Sequence, residues 1–106
     1  MREKLFETRV KRYLETQGAW FVKFFANRNT KAGVPDILAC VNGCFLAIEV
    51  KSDSGSPSEL QLRCISKIRL AGGCAFVLYP SGFEKFKLIV RDLKHGYIQE
   101  MPVIIK

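Results

Sequence analysis

Two carboxylates and a lysine occupy positions where a β-hairpin can bring them together. Asp36 precedes an apolar run, Asn42-Gly43 follows that run, and a second apolar run leads to Glu49 and Lys51. Asn-Gly between two such runs favours a two-residue type I′ turn, because both residues tolerate a positive φ. That turn places Asp36 directly opposite Glu49, with Cβ atoms roughly 4.5–5.5 Å apart. Lys51 then lies two residues beyond Glu49 on the same face of the sheet.

Opposed carboxylates repel each other and weaken a hairpin unless a positive charge offsets them. A divalent cation would do so, and carboxylate oxygens suit Mg²⁺ or Mn²⁺. Lys51 would supply a positive charge for a phosphate oxygen or for a metal-bound hydroxide. The alternative is a solvated surface pair, with Lys51 as an ordinary salt-bridge partner. Because the flanking residues are almost all apolar and buried charge needs a partner, we favour a metal site formed by Asp36 and Glu49.

Length and composition predict a single domain spanning residues 1–106. The chain is 48% hydrophobic and 25% charged, as in ordinary globular proteins. No apolar run reaches the roughly 18 residues of a membrane span, and no signal peptide opens the sequence. We therefore expect a cytoplasmic protein that does not enter a membrane.

Four cysteines and one histidine do not form a zinc-binding pattern, since no C-x-x-C pair is present. The hairpin register directs Cys40 and Cys44 to opposite faces, which is poor geometry for a disulfide. We expect buried free thiols. Glycine-rich phosphate loops are also absent, so no nucleotide cofactor is predicted.

The net charge of +7 is divided unevenly along the chain. Residues 1–31 carry +5, residues 32–59 carry −3 and residues 60–106 carry +5. An acidic centre between basic flanks suits a protein that holds a polyanion with its flanks and a cation in its centre. A basic surface that serves only solubility would give the same charge distribution.

The pattern of the chain predicts alternating helices and strands. Residues 3–17 form an amphipathic helix that ends near Gly18, residues 19–25 a strand, and residues 26–33 a cationic loop. A helix follows Ser58 and ends at Gly72-Gly73, and residues 74–79 form a strand that we expect to be parallel to the hairpin. The stretch from 83 to 93 fits a helix, although residues 86–90 also fit a strand. The tail, residues 96–106, forms either a short strand or a subunit contact.

Both faces of the hairpin are apolar apart from the proposed site. Such a sheet must be covered on both sides, which predicts an α/β fold with helices in both layers.

Several further residues have two interpretations each. Glu7 lies near the apolar stripe of the first helix and is either a solvated glutamate or an additional carboxylate of the site. Gln61 completes a capping box with Ser58 and could also orient a water or the lysine. Four cations, in the loop and on the helix after it, are either exposed charges or phosphate contacts: Arg28, Lys31, Arg63 and Lys67.

The order of elements, with P-D at 35–36 and E-x-K at 49–51, resembles the PD-(D/E)XK nuclease superfamily. Within it, G-V-P-D at 33–36, I-E-V-K at 48–51 and S-x-x-Q at 58–61 are similar to the VRR-NUC family. That family contains small stand-alone phage and bacterial proteins and the nuclease domain of the Fanconi-associated nuclease. The resemblance covers roughly residues 3–80 and implies a restriction-endonuclease-like core, with a central mixed sheet flanked by helices on both faces.

The resemblance also implies roles for individual residues. Asp36, Glu49 and the backbone carbonyl of Val50 would bind Mg²⁺ or Mn²⁺, and Lys51 would activate or orient the attacking water. Gln61 would support the site, and Glu7 corresponds to the acid of the family's first helix.

Small stand-alone members of this family resemble homodimeric enzymes that resolve four-way DNA junctions. We therefore expect a metal-dependent, structure-selective DNA endonuclease, a Holliday-junction resolvase, in a bacterial or phage-infected cell. A dimer is also expected because cutting both strands of a junction requires two sites. A flap or nicking nuclease of the same chemistry and a non-catalytic nucleic-acid-binding module are the alternatives.

Overall fold

The computed structural model describes residues 1–97 and 100–106, which form five strands and three α-helices. In chain order these are α1 (Glu3–Thr16), β1 (Trp20–Lys23), β2 (Ile37–Val41), β3 (Cys44–Val50), α2 (Glu59–Leu70), β4 (Cys74–Leu78), a single 3₁₀ turn (Pro80–Gly82), α3 (Phe83–Lys94) and β5 (Ile104–Ile105). The predicted order of elements is confirmed, and the segment from 83 to 93 is helical.

The strands form one mixed sheet in the order β1-β2-β3-β4-β5. The first three strands are antiparallel neighbours, whereas β4 is parallel to β3 and β5 is parallel to β4. The parallel β3–β4 pair requires a crossover connection, and α2 provides it. This is the restriction-endonuclease-like arrangement that the sequence predicts.

The hairpin turn has the predicted geometry. Asn42 and Gly43 both have positive φ, at 48° and 81°, as a type I′ turn requires. The register pairs Val41 with Cys44 and Ile37 with Ile48. The β2–β3 pairing ends at Ile37 and Ile48, which are the sequence neighbours of Asp36 and Glu49.

Helices cover the sheet on both faces. The larger core lies on the face shared by α1 and α3, where alternate residues of β2 and β3 pack against the apolar stripes of these helices. Helices α1 and α3 contribute these side chains to the larger core: Phe6, Val10 and Leu14 from α1, and Phe83, Phe86, Val90 and Leu93 from α3. The smaller core lies under α2 and contains Ala47, Ile65, Ala75, Val77 and Tyr79. Glu49 alternates with the residues of the larger core and therefore faces the α2 side.

Two predictions, one for the cysteines and one for the tail, need correction or completion. The cysteines are free, but they are not buried: Cys40 is exposed and the other three are partly exposed, because Cys40 lies where α2 does not cover the sheet. The tail contributes the short strand β5. Residues 98 and 99 of the predicted tail lie outside the described residues.

Among the described residues, no helix combines the length and the apolar character that crossing a membrane demands.

Candidate active site

Asp36 lies at the start of the hairpin and is held on both sides by backbone groups. Its carbonyl oxygen accepts a hydrogen bond from the Phe24 N–H (2.7 Å), which ties it to the end of β1. Its carboxylate oxygen Oδ2 accepts one from the Val50 N–H (3.0 Å), which ties it to the end of β3. The side chain is about a quarter exposed. Asp36 is thus fixed beside β3 while its carboxylate stays accessible.

Glu49 is the one charged side chain among the described residues that is fully buried, at 2% exposure. Its Oε2 accepts a hydrogen bond from Gln61 Nε2 (3.0 Å) and pairs with Lys51 Nζ (3.2 Å). Its Oε1 is buried and has no hydrogen-bond partner among the described residues. A buried acceptor without a donor costs free energy, so a hydrogen-bond donor or a cation at this atom would be stabilising.

The buried position changes the acid strength of Glu49. Burial raises the pKa of this carboxyl, and the Asp36 carboxylate raises it further, to about 7. The Lys51 ammonium opposes the shift without cancelling it. A divalent cation at this position would favour the ionised form in the same way as Lys51.

Lys51 and Gln61 both contact Glu49, as the sequence predicts for residues of one site. The Lys51 N–H donates to the Leu78 carbonyl (3.0 Å), so β4 fixes the backbone that carries the ammonium. Gln61 also completes the predicted capping box of α2, because its Oε1 accepts from the Ser58 N–H (2.8 Å) and its N–H donates to Ser58 Oγ (3.1 Å). One side chain therefore starts α2 and holds Glu49.

Glu7 reaches the site through a lysine that the sequence analysis did not select. Lys23 Nζ lies 2.6 Å from Glu7 Oε1 and 3.4 Å from Asp36 Oδ1. Desolvation lowers the pKa of Lys23, but the two carboxylates outweigh it and the pKa lies above its usual value. Glu7 also pairs with Lys11 at 3.5 Å, one turn along α1. Glu7 and Asp36 are thus joined by one ammonium.

Lys23 could have been selected from the sequence by its position in β1. It is the charged residue in the run W-F-V-K-F-F, and strand pairing places it opposite Ile37, next to Asp36. The sequence alone does not assign Lys23 to the site, because the pairing partner of β1 depends on the whole sheet.

The predicted ligands fit a hard divalent cation that keeps several waters. Among the described residues, no group of three or more His, Cys, Asp and Glu side chains is arranged to hold a metal ion. Asp36 and Glu49 supply two carboxylates, and Val50 would supply its carbonyl oxygen. Mg²⁺ commonly takes one or two carboxylates from a protein and retains water, and the unpartnered Glu49 Oε1 is an acceptor that such an ion would satisfy.

The loop before Asp36 packs directly against the start of α2. Gly33 has φ = +82°, and a Cβ at this position would lie 2.5 Å from the Leu60 carbonyl oxygen and 3.0 Å from the Gln61 nitrogen. Only glycine satisfies both the conformation and the contact. The close approach connects the loop that carries Asp36 to the helix turn that carries Gln61.

Three of the four predicted phosphate contacts lie around one groove between this loop and α2. The groove has a volume of about 430 Å³, and its lining includes Lys31, Arg63 and Lys67. Arg28 is exposed in the loop outside it. The groove adjoins Leu60, so the cations lie next to the helix turn that carries Gln61.

The chain matches the model of a known protein family over most of its length. The family model described as archaeal Holliday junction resolvase (Hjc) matches residues 2–93, which include every predicted site residue. No curated protein matches the chain.

Proposed function

Because this chain belongs to the archaeal Holliday junction resolvase family, whose nucleases are part of the PD-(D/E)XK superfamily, we propose that it is a metal-dependent endonuclease that hydrolyses phosphodiester bonds at four-way DNA junctions. The catalytic unit is the single domain of residues 1–106. The finer resemblance to VRR-NUC nucleases, and an origin in a bacterial or phage-infected cell, stay predictions.

One observation carries the proposal. The buried Glu49 lies beside Asp36 and Lys51, and its Oε1 lacks a hydrogen-bond donor among the described residues. A protein that only binds nucleic acid gains nothing from two adjacent carboxylates, which repel phosphate. A nuclease gains a cation site from them.

Different residues of the site would have different roles in phosphodiester hydrolysis. Asp36, Glu49 and the Val50 carbonyl would hold Mg²⁺ or Mn²⁺, which supplies Lewis acidity at the scissile phosphate when bound. Lys51, positioned by Glu49 and by the β4 backbone, orients the attacking water and donates hydrogen bonds to phosphate oxygens. Gln61 keeps Glu49 in the orientation that its buried position requires.

DNA is held by its phosphates in this proposal. Lys31, Arg63 and Lys67 around the groove, and Arg28 beside it, are exposed cations suited to a duplex backbone. No base-reading motif is present in the sequence, so recognition follows the shape of the DNA.

The central experiment is cleavage of a four-way junction in Mg²⁺ and in Mn²⁺ by Asp36→Ala and by Lys51→Ala. Both variants should lose at least 100-fold in rate, as expected when a group that stabilises the transition state is removed. Lys85→Ala, an exposed cation of α3, is the matched control and should cleave normally. Full activity in either site variant would rule out the site.

A panel of junction, flap, fork, nicked and linear duplex substrates separates the alternatives. A resolvase cleaves the junction preferentially, whereas a flap or nicking nuclease prefers other members of the panel. A non-catalytic module binds but leaves every substrate intact. In addition, Mn²⁺ should raise the Tm of a nuclease but not that of its Asp36→Ala variant, whereas a non-catalytic module should show no such difference.

We also propose that the enzyme acts as a homodimer, because symmetric cleavage of two strands needs two sites. The outer side of α2 and the segment before β5 expose apolar side chains suited to such a contact, including Leu70, which is 86% exposed, and Val103. Sedimentation should give a dimer that Leu70→Glu dissociates. A wild-type monomer at working concentration, with and without DNA, would remove this proposal.

A further inference from the structure

Phe25 is an exposed aromatic residue beside the candidate active site, and the proposed chemistry does not use it. Its side chain is 77% exposed, more than any other aromatic side chain of residues 1–97 and 100–106. It directly follows Phe24, whose N–H is bound to the Asp36 carbonyl. The backbone contact that fixes Asp36 therefore also holds the backbone next to Phe25 close to the site.

The distance from Phe25 to the site is short. Lys23 Nζ lies 5.9 Å from the centre of the Phe25 ring and 3.4 Å from Asp36 Oδ1. The ring centre can therefore be at most about 9 Å from that carboxylate oxygen, which is the sum of the two distances. This is less than three base-pair steps of about 3.4 Å each, so the ring is within reach of the bases next to a phosphate at the proposed metal site.

The charges around Phe25 favour DNA as the occupant of this surface. The loop that begins after it carries Arg28 and Lys31, both exposed, and Lys23 lies on its other side. Lys23 is already paired with Glu7 and Asp36, so the attraction of phosphates falls to Arg28 and Lys31 in the loop. An exposed aromatic side chain followed by a cationic loop is a combination with which proteins hold unpaired or unstacked bases.

We propose that Phe25 stacks on a base whose own stacking is interrupted at the branch point of a DNA junction, and that this contact supplies part of the preference for branched DNA. The inference rests on the proposed function and extends it. In a continuous duplex both faces of each base are covered by neighbours, so the ring finds no partner without unstacking a step. At a branch point a base face is already open, and stacking costs nothing beyond desolvation of the ring.

The test compares Phe25→Ala with Phe25→Trp on an immobile four-way junction and on a linear duplex of the same sequence. Dissociation constants are measured in EDTA so that no strand is cut. Phe25→Ala should weaken junction binding about tenfold, because it removes one aromatic–base stack, and should leave duplex binding unchanged. Phe25→Trp should retain the wild-type ratio, because it keeps an aromatic plane.

Trp20→Ala is the matched control. Trp20 is 65% exposed and lies at the other end of β1, opposite Cys40 and away from Lys23. Its loss should leave both dissociation constants unchanged. A 2-aminopurine base at the branch point gives a second measurement, because its fluorescence should change when wild type binds and not when Phe25→Ala binds.

Three outcomes would overturn the inference. The first is a junction preference that Phe25→Ala leaves intact, and the second is an equal loss of affinity for both DNAs. The third is a Phe25→Ala protein that sediments as a smaller species than wild type, which would make Phe25 a protein–protein contact. A wild type without any junction preference would overturn the proposed selectivity as well, whereas the three outcomes above leave that proposal standing.

Discussion

Lys23 Nζ lies 3.4 Å from Asp36 Oδ1 and places a positive charge beside one of the two carboxylates proposed to hold a cation. The same ammonium lies closer to Glu7, at 2.6 Å. Lys23 therefore offsets part of the negative charge of Glu7 and Asp36, and the divalent cation proposed at Asp36 would have to compete with it. The metal affinity of the proposed site should therefore depend on a residue that is not itself proposed as a ligand.

Replacing Lys23 by methionine should separate stability from metal affinity. Lys23→Met should lower the free energy of unfolding of the metal-free protein by about 1 kcal/mol. It should also raise the affinity for Mn²⁺ about tenfold, because the competing charge is gone. Isothermal titration with Mn²⁺ and urea unfolding measure the two effects. Lys11→Met, which removes the ion pair between Lys11 and Glu7, is the control, and an unchanged or weaker Mn²⁺ affinity in Lys23→Met would refute the competition.

The stability of the metal-free protein should fall as the pH rises, owing to Glu49. Its pKa is about 7 in the folded protein and 4.5 ordinarily, so the folded state retains a proton that the unfolded chain has lost. The resulting stabilisation is fully present below pH 4.5 and is lost as the pH rises through 7, by about 3 kcal/mol in total. Urea unfolding in EDTA from pH 4.5 to 8.5 measures it. Glu49→Gln should abolish this part of the pH dependence, and an identical profile in that variant would contradict the assignment.

The two roles of Gln61 can be separated by substitution. Gln61→Glu keeps the capping box, which accepts either residue, but replaces the donor to Glu49 with a carboxylate. It should keep the helix cap, lose some stability because its carboxylate repels that of Glu49, and lose at least tenfold in cleavage rate. Ser58→Ala does the reverse: it weakens the cap by about 1 kcal/mol and should cleave normally. Thermal unfolding measures the stability of both variants, and junction cleavage measures their activity. Full activity of Gln61→Glu would mean that Gln61 only caps α2 and does not support catalysis.

Gly33 should tolerate a side chain less well than Gly18. Both have positive φ, but a Cβ at Gly18 meets open space whereas one at Gly33 meets the Leu60 carbonyl at 2.5 Å. Gly18→Ala should cost about 1 kcal/mol for the left-handed conformation. Gly33→Ala should cost at least about 1 kcal/mol more and should also slow cleavage, because the loop that carries Asp36 must move. Equal losses in urea unfolding would mean that the loop adjusts freely.

The groove cations should contribute to the salt dependence of DNA binding. Each phosphate contact that is removed lowers the slope of log K against log salt by about 0.9 on duplex DNA. Lys31→Ala, Arg63→Ala and Lys67→Ala should each show this reduction in fluorescence-anisotropy titrations between 50 and 200 mM salt. Lys85→Ala on α3 should keep the wild-type slope. Three unchanged slopes would place the DNA elsewhere on the surface.

The local features of this fold could be predicted from the sequence because their causes are local. Asn42-Gly43 determines its own turn, and the alternation on both sides of it determines the register that brings Asp36 towards Glu49. Ser58 and Gln61 determine the start of α2 in the same way. The resemblance to a nuclease superfamily then added Glu7, which periodicity alone left undecided.

The features that were missed depend on contacts between distant parts of the chain. Lys23 joins Glu7 to Asp36 only because β1 pairs with β2 while α1 packs beneath them. The exposure of Cys40 follows from the limited length of sheet that α2 covers, which no local pattern encodes. The predicted strand over residues 19–25 is shorter in the structure, where β1 ends at Lys23 and Phe25 lies exposed beyond it.

The shared use of Gln61 by the helix cap and by Glu49 has a practical consequence for anyone who wants an inactive protein that still captures branched DNA. Removing this side chain would disturb the scaffold together with the chemistry, and the product would be a poor trap. Lys51 and Asp36 are better targets, because neither begins a helix. A substrate-trapping reagent made from this chain should therefore carry a change at one of those two positions and keep its glutamine.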